Sequence, residues 1–195
     1  GYTVHLGGNI GTPLFDRIAD IRPDDFAVLE LSSFQLHSMH CAPDVAIITN
    51  ISPNHLDVHP DFEDYVSAKC SIYRGQRPDG VLVLNARDAH TPRFAAEAPG
   101  SVRYFSSIGP VENGVYCSDG VIYRAHGGKA EKLIDVSDVR IPGAHNVENY
   151  MAAFAATDGL VGHEACVQVA RSFAGVPHRM ERIRELNGIT FINDS

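Results

Sequence analysis

Val45-Ala46-Ile47-Ile48-Thr49, then Phe62, Tyr65, Val66, Lys69 and Tyr73 spaced through the segment from Asp61 to Tyr73, then Val81-Leu82-Val83-Leu84: residues 45–84 decide the fold class. The two outer runs are continuously apolar and of strand length, the pattern of strands covered on both faces. The middle segment repeats its apolar residues at helical spacing, and Pro78-Asp79-Gly80 supplies the turn into the second strand. Strand, helix, strand in that order predicts an α/β fold, a mostly parallel sheet flanked by helices. Upstream, Phe26-Ala27-Val28-Leu29-Glu30-Leu31 reads as another buried strand of the same kind.

Downstream the texture changes between Ser101 and Asp138. Short β-prone pieces (Val102–Phe105, Val115–Cys117, Val121–Tyr123, Lys132–Ile134) alternate with turns at Gly114, Gly120 and Gly127-Gly128, which predicts a small antiparallel β subsheet attached to the main sheet. An Ala-rich helix follows from Gly143 to Leu160, and a second from Glu164 to Phe173. Gly175-Val176-Pro177 breaks the pattern, and Met180–Leu186 and Ile189–Ile192 form a hairpin about Asn187-Gly188.

Bulk properties narrow the function classes. The 195 residues are 44% hydrophobic and 21% charged, which suits one soluble domain or one plus part of another. With 24 acidic against 16 basic residues, the net charge of −8 argues against a broad nucleic-acid or anionic-membrane footprint. A small anionic ligand, held by a few local cations and N–H groups, is compatible with that balance. Cys41, Cys70, Cys117 and Cys166 contain no C-x-x-C pair, so reduced thiols and a cytoplasmic location are expected rather than a disulfide framework. No apolar stretch is long enough to span a bilayer, and no signal peptide opens the chain. The chain opens on Gly1 in a strand-like run and stops at Asn193-Asp194-Ser195, so both ends are expected to continue into a longer protein.

Four stretches carry chemistry. Glu30 closes a strand, at the edge where ligands of open α/β sheets collect, and suits metal or phosphate chemistry there; the plain alternative is a carboxylate turned to solvent. If helical, His55 and His59 share a face at i, i+4, as metal-ligating pairs do, yet the Glu of H-E-x-x-H is missing and Pro53 and Pro60 crowd them, which favours one loop histidine acting alone with the other as bystander. Lys69 has apolar helical neighbours in Tyr65, Ile72 and Tyr73. It is either a surface lysine or a desolvated one, which loses its charge more readily and can be modified or become a ligand. Asn146 and Asn149 open the Ala-rich helix from one face, at an end that favours anions; capping would explain the first but poorly the second.

Taken in order, the stretches resemble the Mur ligase family, and within it the branch that adds D-glutamate. The residues that carry the resemblance are Gly8-Asn9-Ile10-Gly11, Leu29-Glu30-Leu31-Ser32-Ser33-Phe34-Gln35-Leu36, and Asn50-Ile51-Ser52-Pro53-Asn54-His55-Leu56-Asp57. They continue with Ala68-Lys69 before Ile72-Tyr73, Gly143-x-His145-Asn146-x-x-Asn149, Pro177-His178-Arg179-x-Glu181 and Ile192-Asn193-Asp194-Ser195. The resemblance implies the ATP-binding central domain of a cytoplasmic, monomeric peptidoglycan ligase. Such an enzyme joins D-glutamate to UDP-N-acetylmuramoyl-L-alanine through an acyl phosphate, with ATP and two Mg²⁺ ions.

Residue by residue, the resemblance gives Glu30 and His55 as metal ligands, with Lys69 carbamylated to an anionic oxygen ligand, and these three as the catalytic set. Asn9, Ser32 and Gln35 would contact the UDP-muramoyl substrate. Asn146 and Asn149 would contact the nucleotide, Arg179 its phosphates and Asp194 its ribose. Residues 1–175 would be the central domain, and 176–195 the first strands of a Rossmann-like C-terminal domain that binds D-glutamate. Asn54 stands where many members have Asp. The family's G-x-x-G-K-[ST] phosphate loop does not occur here, so this chain alone is expected to be inactive and to bind ATP weakly. The rival readings are a zinc-dependent hydrolase using His55 and His59, and a non-catalytic binding relative.

Overall fold

The computed structural model describes residues 2–9, 13–53, 58–179 and 181–194. Its main sheet has six strands in spatial order β3-β4-β5-β6-β7-β8. Strands β3 (Val45–Ile48), β4 (Val81–Asn85), β5 (Ser101–Ser106) and β6 (Gly114–Ser118) run parallel, with Val45 opposite Val81 and Val81 opposite Ser101. Strands β7 (Val121–His126) and β8 (Lys129–Asp135) continue it antiparallel. The expected β-rich extension is therefore present, but its first two pieces, β5 and β6, run parallel with the main strands, and the antiparallel pairing begins between β6 and β7.

Alternation along β4 distributes the core. Leu82 and Leu84 point to one face, where α2 (Phe62–Arg74) and α3 (Thr91–Glu97) cover them through Val66, Cys70, Tyr73 and Phe94. Val83 points to the other face, where α4 (Ala144–Thr157) brings Met151 and Ala155, with α5 (His163–Ser172) beyond. Each such aliphatic side chain, taken out of water, stabilises the fold by about 1.5–3 kcal/mol. Helix α2 starts where the sequence calls for it: the Asp61 carboxylate accepts from the Asp64 backbone N–H at 2.8 Å, acids fill the first turn, and Arg74 lies in the last.

The stretch Phe26–Leu31 departs from expectation. Among the described residues, strand β2 (Phe26–Glu30) pairs only with β1 (Val4–Gly8), in parallel, as a separate two-stranded sheet. Val28 and Leu29 are 49% and 46% exposed, so β2 is not buried on both faces. A continuous apolar run reports an extended segment with apolar surroundings to satisfy; it does not say which element supplies them. The hairpin of β9 (Glu181–Leu186) and β10 (Ile189–Asn193) is also a sheet of its own, turning through Asn187 and Gly188 with φ of 51° and 76° as the Asn-Gly pair predicts. All four cysteines are free, and no helix of the described residues is long and apolar enough to cross a membrane.

Candidate functional site

Glu30 is the last residue of β2, exposed at its carboxyl end. Gly8 ends the neighbouring strand with φ of 115°, a conformation that favours glycine, and the Asn9 N–H then donates to the Glu30 carbonyl at 2.7 Å. Asn9 is thus held beside Glu30. Directly after β2, Ser32 caps α1 (Ser33–Ser38) in a reciprocal box: Ser32 Oγ accepts from the Gln35 N–H at 3.3 Å, and Gln35 Oε1 accepts from the Ser32 N–H at 2.9 Å. Two of the three expected substrate contacts, Ser32 and Gln35, therefore sit together at the mouth of a short helix, already bonded to one another.

Lys69 is half-buried on α2, with Nζ 5.9 Å from the centroid of the Tyr65 ring and, among the described residues, no hydrogen-bond or ion-pair partner. Burial pushes its pKa below that of an ordinary lysine, and the charge of Glu30 works in the opposite direction. That coupling brings two of the three expected catalytic residues into one electrostatic neighbourhood. The third, His55, lies outside the described residues, as do Asn54 and Asp57.

His59 does not take the helical alternative. It stands in a bend ahead of α2, not on a helix, and is only 4% exposed. Nδ1 lies 2.7 Å from Asp64 Oδ2 and Nε2 lies 3.0 Å from Ser33 Oγ. The Asp64 carboxyl is held below the usual aspartate range, chiefly by the hydrogen bond from His59 against the opposing effect of burial, with His37 adding to it at 3.3 Å. With both ring nitrogens engaged and no helix beneath them, the pairing of His55 with His59 on one helical face is not favoured. Among the described residues, His37, His59 and Asp64 offer ligand atoms within 4.8 Å of one another, but the carboxylate already serves both imidazoles.

A cleft of about 550 Å³ opens between α4 and α5. Asn146 and Asn149 line it from one face of α4, and Arg179 from the segment after α5, against apolar walls that include Ile141, Phe154, Val169 and Phe173. Gly143, not Asn146, is the N-cap of α4; Asn146 Nδ2 donates instead to the Pro142 carbonyl at 2.6 Å. Asp194, beyond β10, does not line this cleft. Sequence reasoning missed Tyr150, whose hydroxyl is buried in the cleft wall with no hydrogen-bond partner among the described residues. Its position, one turn after Asn146, was the available signal.

An exposed acid at the tip of β2, a half-buried amine on α2 that feels its charge, and a polar-rimmed apolar cleft between α4 and α5 are carried by one α/β chain. Residues 6–157 match the family described as the Mur ligase middle domain, and the chain belongs to that family. Over its full length it is 49% identical to a UDP-N-acetylmuramoylalanine–D-glutamate ligase of Acetivibrio thermocellus and 47% identical to one of Clostridium botulinum. It spans 42% of the length of each. Among solved structures, MurF from Acinetobacter baumannii superposes with a TM-score of 0.66 at 20% identity, over 100% of this chain and 50% of that one. A pseudomurein peptide ligase type C from Methanothermus fervidus gives 0.67 at 18% identity, over 99% of this chain and 53% of that one. These structural likenesses establish the fold.

Proposed function

We propose that the protein carrying this chain is an ATP-dependent ligase that joins D-glutamate to UDP-N-acetylmuramoyl-L-alanine in peptidoglycan synthesis. The observation that carries this reading is the placement of Lys69, a half-buried amine without a hydrogen-bond partner among the described residues, within the electrostatic reach of Glu30. The curated relatives at 44–49% identity bear the name of that ligase, which supports the choice of amino acid. Residues 1–175 would form the central domain and 176–195 the start of a further domain, consistent with a β9–β10 hairpin that pairs only with itself.

A carboxylate resists attack by an amine because its own charge repels the nucleophile and oxide is a poor leaving group. Transfer of the γ-phosphoryl of ATP to the substrate carboxylate gives an acyl phosphate; the amine of D-glutamate attacks its carbonyl carbon, and inorganic phosphate departs from the tetrahedral intermediate. Negative charge accumulates in both steps, and bound Mg²⁺ would offset it. The residues fit such an ion: Glu30 offers an exposed carboxylate, and Lys69, once its amine takes up CO₂ to form a carbamate, offers anionic oxygen where a cation would otherwise repel the metal. Burial favours that conversion, since it penalises the ammonium and leaves more of the nucleophilic free amine. Asn9, Ser32 and Gln35 border Glu30 and would orient the acyl substrate, with His55 as a further ligand.

In the α4–α5 cleft, Asn146 and Asn149 would contact the nucleotide and Arg179 its phosphates, while Asp194, from outside the cleft lining, would reach its ribose. The apolar walls suit a planar base, and the orphaned Tyr150 hydroxyl supports a polar guest. The enzyme would work as a monomer in the cytoplasm. Lys69→Ala in the complete ligase tests the reading: D-glutamate-dependent phosphate release should vanish and return in part when short carboxylic acids are supplied. Unchanged turnover in that variant would remove the carbamate from the mechanism.

A further inference from the structure

Ser33, His59 and Asp64 form a hydrogen-bonded line whose chemistry resembles a nucleophile, its base and the base's orienting acid. Ser33 is only 2% exposed, however, and His59 only 4%, so no substrate reaches this hydroxyl. A buried polar line of this kind costs desolvation at each member and is kept where it fixes a geometry. Which elements it joins is therefore the informative question.

Among the described residues, the His59 ring meets side chains from two helices, including the His37 ring of α1 at 6.0 Å. From α1 come Ser33 Oγ at 3.0 Å and the Phe34 ring, stacked at 5.5 Å with 13° between planes. From α2 come Asp64 Oδ2 at 2.7 Å and the Tyr65 ring, edge-on at 5.4 Å. Asp64 binds back to α1 through His37 at 3.3 Å. Helix α1 follows Glu30 directly and carries the Ser32–Gln35 box, while α2 carries Lys69, whose Nζ lies over that same Tyr65 ring. One imidazole thus stands between the segment bearing the acid and the segment bearing the amine.

We propose that His59 is a positioning residue that sets the separation of Glu30 and Lys69 by locking α1 to α2. This inference rests on the ligase reading above. The ionised Asp64 carboxylate accepts from Nδ1–H, which leaves Nε2 to accept from the Ser33 hydroxyl, so the ring is held at both ends in one tautomer. Loss of the imidazole unties both bonds and removes the support behind Tyr65, letting the two helices drift while the other face of the six-stranded sheet, packed on α4 through a core that α2 does not enter, stays intact.

The test uses the complete ligase carrying this segment, with His59→Ala, His59→Asn and Ser33→Ala. His59→Ala should lower kcat by about 10- to 100-fold and raise the free Mg²⁺ needed for half-maximal rate, while KM for ATP stays within about twofold. Without ligands, hydrogen exchange should quicken in residues 33–38 and 58–66 and remain slow in β4–β7. Asn, whose side-chain amide can still donate to Asp64, should recover part of the rate. Should His59→Ala fail to fold, Ser33→Ala, which removes a single bond, must show the same pattern in smaller measure. A folded variant with unchanged kcat and Mg²⁺ dependence overturns the proposal, as does a uniform rise in exchange with KM for ATP rising in step. Lys69→Ala run in parallel separates the two failures: an active Lys69→Ala sinks the ligase reading, whereas an inactive one beside a normal His59→Ala sinks only the role of His59.

Discussion

A Cβ placed on Gly8 would lie 2.2 Å from the Glu30 carbonyl oxygen, closer than any side-chain carbon can approach a backbone atom. The absence of a side chain there lets β1 end against the tip of β2, with Asn9 bonded across the junction. Gly8→Ala should therefore combine a strained φ, which costs about 1–3 kcal/mol, with a backbone clash that pushes Glu30 away. Urea unfolding should register the loss, and in the complete ligase the variant should also need more Mg²⁺. A Gly8→Ala protein with an unchanged urea midpoint would show that the junction yields freely and that Glu30 is not fixed by it.

Acid sensitivity has a definite sign. Asp64 is held below its ordinary 3.8 by the hydrogen bond from His59, and Glu97 below its ordinary 4.5 by Arg93 and then Tyr73. A carboxyl whose folded pKa is depressed contributes stability that is fully present above the unfolded value and disappears as pH falls through the folded one. Stability should hold down to about pH 5 and then drop as both groups take up protons the folded state resists. In Asp64→Asn the drop between about pH 4 and pH 3 should be shallower than in the parent. Urea midpoints across that range decide the matter, and parallel curves for the two proteins would assign the acid sensitivity elsewhere.

What could be read from the letters follows from how local each signal is. The alternation of Leu82, Val83 and Leu84, the helical spacing from Tyr65 to Tyr73, and the Asn187-Gly188 turn are set by neighbouring residues, and each forms as read. The coverage of β2 was not legible, because burial of Val28 and Leu29 depends on distant partners that a strand-length run does not name. The same holds for the site. Glu30 and Lys69 were singled out by type and position, but the tie through His59, Ser33 and Asp64 joins residues remote in sequence. The i, i+4 spacing of His55 and His59 would carry weight only on a helix, and His59 stands in a bend. Helix α1 escaped notice because its six residues carry no full amphipathic repeat; its signal was the Ser32-x-x-Gln35 box.

The proposed nucleotide role of the α4–α5 cleft can be tested apart from the chemistry at Lys69. If Arg179 donates to phosphate there, losing such a bond costs about 1.5–3 kcal/mol, so Arg179→Ala should raise KM for ATP by roughly 10- to 100-fold. Asn149→Ala removes a neutral donor worth about 0.5–1.5 kcal/mol, for roughly a 2- to 12-fold rise. Tyr150→Phe discriminates most sharply. Its hydroxyl is buried with no partner among the described residues, so deleting it should leave the ligand-free protein as stable as before or more so. If a bound nucleotide satisfies that hydroxyl, the same change should weaken ATP, and the melting temperature of the variant should rise less on adding nucleotide than that of the parent. A Tyr150→Phe protein that loses stability when free and responds to ATP like the parent would mean that the hydroxyl serves the fold and faces no ligand.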